Sequence, residues 1–294
     1  MVIQSNSSSE LTQYVVKNRT AKPFLKWAGG KQQLLNQFTS YLPGQIDRYI
    51  EPFTGGGALF FHLWNTHRIT EQIFLFDNNA DLITTYRAVR DHVDAVIEQL
   101  TIHQHFHNRE YYYHIRGLDR CKDVDLNDIE KAARMIYLNR TCYNGLYRVN
   151  RRGEFNVPMG SYVDPQILYE ETLYNASAAL QGVELKTQDF RDVLETAQAG
   201  DFIYFDPPYD PVSKTASFTG YTAGSFGDAD QQALAQVFAT LTQKGCRCML
   251  SNSYTPFILD LYREFQIKTV LASRAINSNG NARGAIKEVI ILNY

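Results

Sequence analysis

The residues best suited to chemistry sit where a hydrophobic run stops abruptly: "FIYFDPPYD", residues 202–210 of a 294-residue chain. Phe202, Ile203, Tyr204 and Phe205 read as a buried strand, and the doubled proline after them cannot donate to a sheet ladder. Ionised Asp206 offers acceptors only; Pro207 and Pro208 offer carbonyls and no N–H. Such a site is acceptor-rich and donor-poor, and its natural guest is an NH₂ group. Tyr209 adds a flat face for stacking on a planar ring. An amine on an aromatic ring is a poor nucleophile because its lone pair is delocalised. Two acceptors aimed at its hydrogens favour a pyramidal nitrogen and stabilise the positive charge that develops during attack. The plainer alternative is a strand-ending turn with Asp206 as its cap.

A second constellation is "EPFTGGGALF", residues 51–60, with glycines between a strand and a helix. Glycines there permit tight turning and close backbone approach to a ligand at the helix start. Gly55 and Gly57 match the first two positions of G-x-G-x-x-G, but Phe60 stands at the third. Asp77 ends the next strand 20 residues after Gly57, where a carboxylate can bind ribose hydroxyls. A ribose-bearing ligand is expected, without a full pyrophosphate loop. In "FLKWAGGK", residues 24–31, Gly30 and Lys31 match the end of a phosphate loop, but Leu25 and Gln32 break its pattern. That stretch alone leaves Trp27 readable as ordinary core.

A third feature is charge. Net charge is only −2, yet Arg134 to Gly160 holds five arginines and one acid, Glu154, a local balance of +4. This is either a solvated face or a footprint for phosphates. Within it "YRVN-RRG-EFNV" alternates about a Gly-containing turn and reads as a β-hairpin. His103, His105 and His107 alternate but lack a second ligand cluster, so they read as surface rather than metal ligands.

The elements that position these groups alternate. Strands are read at "RYIEPF", "QIFLFD", "VELKTQDF", "DFIYFD" and "CRCMLSN", with "KEVIILNY" as a final edge strand. Helices are read over Ala58–Trp64, over Asp81–Leu100 with Leu82, Tyr86, Val89, Val93 and Ile97 on one side, and over Gln231–Leu241. Alternating strands and helices predict an α/β fold with a doubly wound, mostly parallel sheet. From about 101 to 168 the alternation breaks, with a helix over Ile129–Asn139, implying an inserted, mainly helical unit that carries the hairpin. Domains are drawn as a disordered tail over 1–20, a catalytic domain over 21–80 and 169–294, and a recognition domain over 81–168.

Composition adds bounds. Hydrophobic content of 44% and charged content of 20% are ordinary for a soluble globular protein. No apolar run approaches a membrane span, and "MVIQSNSSSE" does not resemble a secretory signal, so a cytoplasmic protein is expected. Cys121, Cys142, Cys246 and Cys248 are irregularly spaced and read as reduced thiols, with no zinc set.

Together "FLKWAGGK", "EPFTGGGALF", "YNGLYRVNRRGEFNVPMG", "YFDPPY" and "INSNGNARGAIKEVI" resemble the Dam-type DNA adenine-N6 methyltransferases, in the order of the alpha arrangement. The likeness runs from about Phe24 to the C-terminus. It implies the S-adenosylmethionine (SAM)-dependent methyltransferase fold, with S-adenosylhomocysteine as product and no metal. It implies that Trp27, Lys31, Phe53 and Gly55 line the cofactor site, Asp77 binds its ribose, Phe190 lies near its adenine, and Asp206 borders it. Asp206 and the Pro207 carbonyl would hold the target N6 amine, and Tyr209 would stack on the flipped adenine, usually that of GATC in double-stranded DNA. Tyr143 and Asn144 would distort or fill the duplex; Leu146, Arg148 and Pro158 would read base edges, with Asn150 beside them; Lys26 would touch DNA next to the first base. A bacterial or phage-encoded, nucleoid-associated monomer is expected, and restriction–modification is one of its possible settings. Two departures stand out: Tyr147 at a position that varies in the family, and few cations near "NARGAIKE".

Rival readings are an amino methyltransferase acting on RNA or a protein amide, a nicotinamide-dependent oxidoreductase, and a non-catalytic DNA-binding regulator. The oxidoreductase shares Gly55, Gly57 and Asp77 but leaves "DPPY" unexplained. An amide methylase has no use for the arginine-rich hairpin, and a regulator none for the acceptor site.

Overall fold

The computed structural model describes residues 20–27, 31, 34–121, 123–211, 226–272 and 286–294. The first nineteen residues and most of "INSNGNARGAIKE", with the expectations placed on them, lie outside the described residues.

In chain order the elements are α1 (Leu35–Phe38), β1 (Ile46–Glu51), α2 (Ala58–Asn65), β2 (Ile69–Asp77), α3 (Ala80–Asp91), α4 (Val93–Phe106), α5 (Arg109–Gly117), α6 (Asp128–Thr141), α7 (Glu170–Leu180), β3 (Glu184–Thr187), α8 (Val193–Thr196), β4 (Phe202–Phe205), α9 (Asp228–Gln243), β5 (Arg247–Ser253), α10 (Pro256–Leu261), β6 (Gln266–Ala272) and β7 (Ile286–Leu292). They form one sheet in the order β3-β2-β1-β4-β5-β7-β6. The first five strands pair in parallel, and β7 pairs antiparallel with β5 and β6. This is the α/β, mostly parallel sheet expected of a SAM-dependent methyltransferase.

Both faces are covered, as a parallel sheet requires. Along β4, Phe202 and Tyr204 face one core, with residues of α2, α3, α4, α6 and α7, while Ile203 and Phe205 face the other, with α8, α9 and α10. A strand buried on both sides cannot alternate in polarity, which is why "FIYF" is continuously apolar.

Two sequence readings are corrected. "KEVIILNY" is not an edge: β7 lies between β5 and β6, and the unread strand "QIKTVLA" forms the edge. The signal was present, since Val289, Ile290 and Ile291 are successive and all fully buried. The single helix over 81–100 is two helices, broken at His92 with φ −140° and ψ 40°. Its period survives the break, so spacing hides it. The Arg90 carbonyl, which a continuous helix would use internally, instead accepts from Ser177 Oγ of α7 at 3.2 Å and from Nε2 of Gln181, the residue that caps α7, at 2.9 Å.

The hairpin is present in reduced form. One antiparallel bridge pairs Val149 with Phe155, and Asn150 N–H donates to the Glu154 carbonyl at 2.9 Å. Asp119 anchors its second strand, accepting from Phe155 N–H at 2.8 Å while paired with Arg134 at 2.8 Å. Among the described residues, no helix is long and apolar enough to cross a membrane.

Candidate active site and nucleic-acid face

The chain runs outward from β1 to β2 and β3, then returns to place β4 on the other side of β1. Ligands of such sheets bind where the order reverses, beyond the carboxyl ends of the strands. That crevice brings together the glycine turn after β1, Asp77 at the end of β2, and "DPPY" after β4.

The glycine turn is tied on every side. Gly55 N–H donates to Asp77 Oδ2 at 3.0 Å, its carbonyl accepts from Tyr86 Oη at 3.1 Å, and Thr54 N–H donates to the Phe76 carbonyl at 3.0 Å. Gly55 has φ +47°, and a Cβ there would sit 2.8 Å from the Trp27 ring. Both the backbone sign and the close approach of Trp27 therefore demand glycine. Phe60, which replaces the third fingerprint glycine, is a fully buried core ring of α2. The other oxygen of Asp77, Oδ1, accepts from Asn79 N–H at 2.9 Å. Burial raises the Asp77 carboxyl to about 6, against the lowering pull of these two N–H groups. Beside Asp77, Gln188 N–H donates to its carbonyl at 3.1 Å, which fixes the loop bearing Phe190. Phe190 stacks on Phe53 with centroids 5.4 Å apart and planes 23° apart, and Phe226 meets Phe53 edge-on at 5.8 Å.

At "DPPY" the Lys31 ammonium lies 2.9 Å from Asp206 Oδ1 and 4.4 Å from the centroid of the Tyr209 ring. Burial raises the Asp206 carboxyl, Lys31 lowers it, and Glu288 raises it further. Tyr209 Oη donates to Glu288 Oε2 on β7 at 2.9 Å. The Pro208 carbonyl accepts from Gln231 Nε2 at 2.9 Å, and Gln231 Oε1 accepts from Asn252 Nδ2 at 3.1 Å. Thr255 Oγ1 donates to Asp210 at 2.6 Å, closing the turn.

The sequence reading missed Glu288, Gln231, Asn252, Tyr86 and Phe226. Glu288 had one signal, a lone carboxylate opening the apolar run "VIIL". It also missed Glu51, buried at the end of β1, whose carboxyl accepts from Tyr49 Oη at 2.8 Å and is pushed well above its ordinary range by burial.

On the neighbouring face, buried Asn139 joins two distant segments. Its Oδ1 accepts from Lys26 N–H at 2.7 Å, and its Nδ2 donates to the Lys26 carbonyl at 2.7 Å and the Gly145 carbonyl at 2.9 Å. Lys26 thereby stands beside Gly145, which follows Tyr143 and Asn144 in the chain; Asn144 has φ +55°, and Tyr143 is exposed and donates its N–H to the Pro158 carbonyl at 2.9 Å. Leu146 is half-buried against the core. Arg148 is exposed, its Nε donating to Asn156 Oδ1 at 2.6 Å. Asn150 spends its amide on the turn, donating to Glu154 Oε2 at 2.6 Å and accepting from Arg152 N–H at 2.9 Å. The five arginines divide: Arg134 and Arg140 point inward, onto the Ile115 and Phe24 carbonyls, and Arg148, Arg151 and Arg152 are exposed.

Of the alternating histidines His105 is exposed, as read, but His103 is buried and the half-buried His107 bonds Tyr137 Oη through Nδ1 at 2.9 Å, so these two are structural rather than surface. His103 Nδ1 bonds Tyr111 Oη at 2.8 Å, and burial lowers its pKa to about 4, so it is neutral. Among the described residues, no group of His, Cys, Asp and Glu is arranged to hold a metal.

Comparison with known proteins agrees with this geometry. Residues 27–276 match the model of the D12 class N6 adenine-specific DNA methyltransferase family. A type II methyltransferase of Methanocaldococcus jannaschii, M.MjaIII, is 44% identical over 287 residues, spanning 93% of this chain and 99% of its own. The type II methyltransferase M1.LlaDCHI of Lactococcus lactis is 41% identical, spanning 93% of this chain and 95% of its own. The DNA adenine methylase of Escherichia coli is 34% identical, spanning 94% and 95%.

Proposed function

Because this chain belongs to the D12 class of N6 adenine-specific DNA methyltransferases, we propose that its target is the adenine of GATC in duplex DNA, flipped into the crevice between β1 and β4. The observation that carries the reading is the Lys31 ammonium: Asp206 and the Tyr209 ring together already hold a nitrogen that donates protons. A base amine is the same kind of guest. A stacked base cannot reach the crevice, so extrusion at a cost of a few kcal/mol is required.

The methyl donor implied by the family, S-adenosylmethionine, fits the other end of the crevice. Its ribose hydroxyls match the carboxylate of Asp77, its adenine matches the flat Phe53–Phe190 pair, and the glycine turn leaves room for close approach. When bound, it supplies an electrophilic methyl group. Trp27 walls the glycine turn, and Lys31, held at Asp206, would line the cofactor site as a cation. Asp206 and the Pro207 carbonyl hold the amine hydrogens, and Tyr209 packs against the base. A nitrogen that gains a methyl group becomes a strong acid, so Asp206, with its raised pKa, is basic enough to take the proton.

On the DNA side, residues 81–168 form the recognition unit of this reading. Tyr143 and Asn144 enter the space left by the base, Leu146, Arg148 and Pro158 face base edges, and Lys26 contacts DNA beside the first base. Asn150 shapes the turn that aims Arg148. Arg151 and Arg152 meet phosphates.

The direct test replaces the adenine of a GATC duplex by 2-aminopurine and follows its fluorescence, with modified-base sequencing of DNA from a host expressing the chain. Increased emission and N6-methyladenine confined to GATC are expected. Methylation at another site removes the GATC assignment, and unchanged emission removes the flipping step.

Further outcomes follow from Asp77 and Glu288. Cofactor affinity should be flat at neutral pH and fall as pH drops through about 6, where Asp77 protonates and loses an acceptor. Asp77→Asn should weaken binding roughly tenfold or more, as expected for a charge-assisted pair of hydrogen bonds, and erase that inflection in calorimetric titrations. For the ligand-free fold the sign reverses: the buried Asp77 charge costs stability above pH 6, and the cost is relieved below it. Glu288→Gln should preserve cofactor binding and lower kcat about tenfold, because the Tyr209 hydroxyl then has a weaker acceptor to fix its ring. Steady-state kinetics with unchanged kcat would assign Glu288 to folding alone.

A further inference from the structure

Tyr147 belongs to the first strand of the recognition hairpin, next to Leu146 and Arg148; its ring packs on Phe155 across the hairpin, with centroids 5.9 Å apart, and also reaches the catalytic crevice. Its ring stacks on Trp27 with centroids 5.5 Å apart and planes 23° apart. Trp27 in turn lies against the glycine turn, where a Cβ on Gly55 would be 2.8 Å, and on Gly56 3.1 Å, from its side chain. The Tyr147 hydroxyl donates to Asp81 Oδ2 at 3.2 Å, in the first turn of α3. The residue that caps α3, Asn79, gives its N–H to Asp77. One side chain therefore touches Trp27 directly and is linked to Asp77 through the first turn of α3, from the DNA side.

Both hairpin strands are tied to the recognition unit, the first through Cys142 Sγ on the Leu146 carbonyl at 3.2 Å, and the first also reaches the crevice. The second is tied to the recognition helices: Phe155 to Asp119 and Arg120, and the Val157 carbonyl to Tyr112 Oη at 2.9 Å. The first strand reaches Trp27 and the first turn of α3 through Tyr147. A hairpin with a single bridged pair has little stability of its own, so its placement follows its anchors.

We propose that Tyr147 is a positioning residue that couples cofactor binding to DNA recognition. A cofactor that fixes Trp27 and Asp77 favours the docked hairpin, with Arg148 and Leu146 aimed at the groove. DNA that engages the hairpin favours the same arrangement and so the ordered cofactor walls. Each ligand then raises the affinity for the other by one common factor. This rests on the crevice and hairpin roles given above. Tyr147 contacts neither the reacting atoms nor, in this reading, the bases.

The experiment measures four dissociation constants per variant: cofactor with and without DNA, and DNA with and without cofactor. The duplex carries the site established by modified-base sequencing, so an error in the GATC assignment does not enter. The non-reactive product S-adenosylhomocysteine serves as cofactor probe. The wild-type chain should show a coupling factor of about 5–150 from either side. Tyr147→Ala should bring it to within about twofold of 1, with each ligand alone still binding. Tyr147→Phe keeps the stacked ring and should retain most of the coupling. If the alanine variant loses its cooperative melting transition, Tyr147→Leu, which keeps bulk without a flat face, is measured in its place. Equal weakening of each ligand with and without the other, leaving the factor at its wild-type value, overturns the proposal and makes Tyr147 a structural residue. Failure of the wild-type chain to bind either ligand would instead remove the site assignments themselves.

Discussion

Asp206→Ala is expected to bind duplex DNA as the wild type does and to lose methyl transfer by about 10²–10³-fold or more, the usual loss when one preorganised electrostatic group is removed from a reacting centre. The size follows from the surroundings. Asp206 lies at the end of a strand buried on both faces, and its pKa is raised mainly by burial. An acceptor in such a place acts through a low effective dielectric and needs no reorganisation when charge develops on the amine. The variant also leaves the buried Lys31 ammonium without the carboxylate now 2.9 Å away. Asp206→Asn separates the two effects: it keeps the shape and one acceptor, and should recover part of the rate. Single-turnover transfer of tritiated methyl, read beside DNA binding, measures both. Near-wild-type turnover in Asp206→Ala would sink the cradle as the catalytic centre.

Arg148→Ala is expected to cost roughly 1–3 kcal/mol of discrimination at one guanine, about 5–150-fold between cognate and substituted duplexes, the range for a bidentate guanidinium–guanine contact. The expectation of readout rather than phosphate contact rests on how Arg148 is held. Asn156 holds Nε of Arg148 at 2.6 Å, which orients the fork before DNA arrives and lowers the entropy lost on binding. Arg151 and Arg152 sit exposed at the turn and suit phosphates better. Binding measured across salt concentrations distinguishes the roles. A base contact leaves the salt slope unchanged and erases the preference at one position. A phosphate contact lowers affinity equally on every sequence and reduces the slope by about 1. Asn156→Ala should show a weaker form of the Arg148→Ala phenotype, since the guanidinium remains but is no longer aimed.

Sequence alone determined those features whose physical cause is local. A run of apolar residues ended by two prolines specifies a buried strand with an abrupt stop. Glycines after a strand specify a turn that a side chain would block, and the 2.8 Å contact awaiting a Cβ at Gly55 is that constraint in space. The strand–helix alternation specified the α/β class, and the acceptor character of "DPPY" is the ground on which an amine-holding cradle is proposed. Whatever depends on partners distant in the chain was left to the tertiary structure. Glu288 is 79 residues from Tyr209, and only the antiparallel insertion of β7 beside β5 brings them within a hydrogen bond. The helix break at His92 is stabilised by side chains from α7, so no local propensity announces it. The arginine-rich segment shows the same division. Composition counted five equal charges, but folding turned Arg134 and Arg140 inward as struts and left three on the surface. Tyr147 is the sharpest case. As a letter in the sequence it was a departure from a family pattern; in the fold it lies between Trp27 and Asp81, 120 and 66 residues away along the chain. Charge, propensity and backbone permission are written residue by residue, whereas contact between distant residues arises only when the sheet order closes the chain on itself.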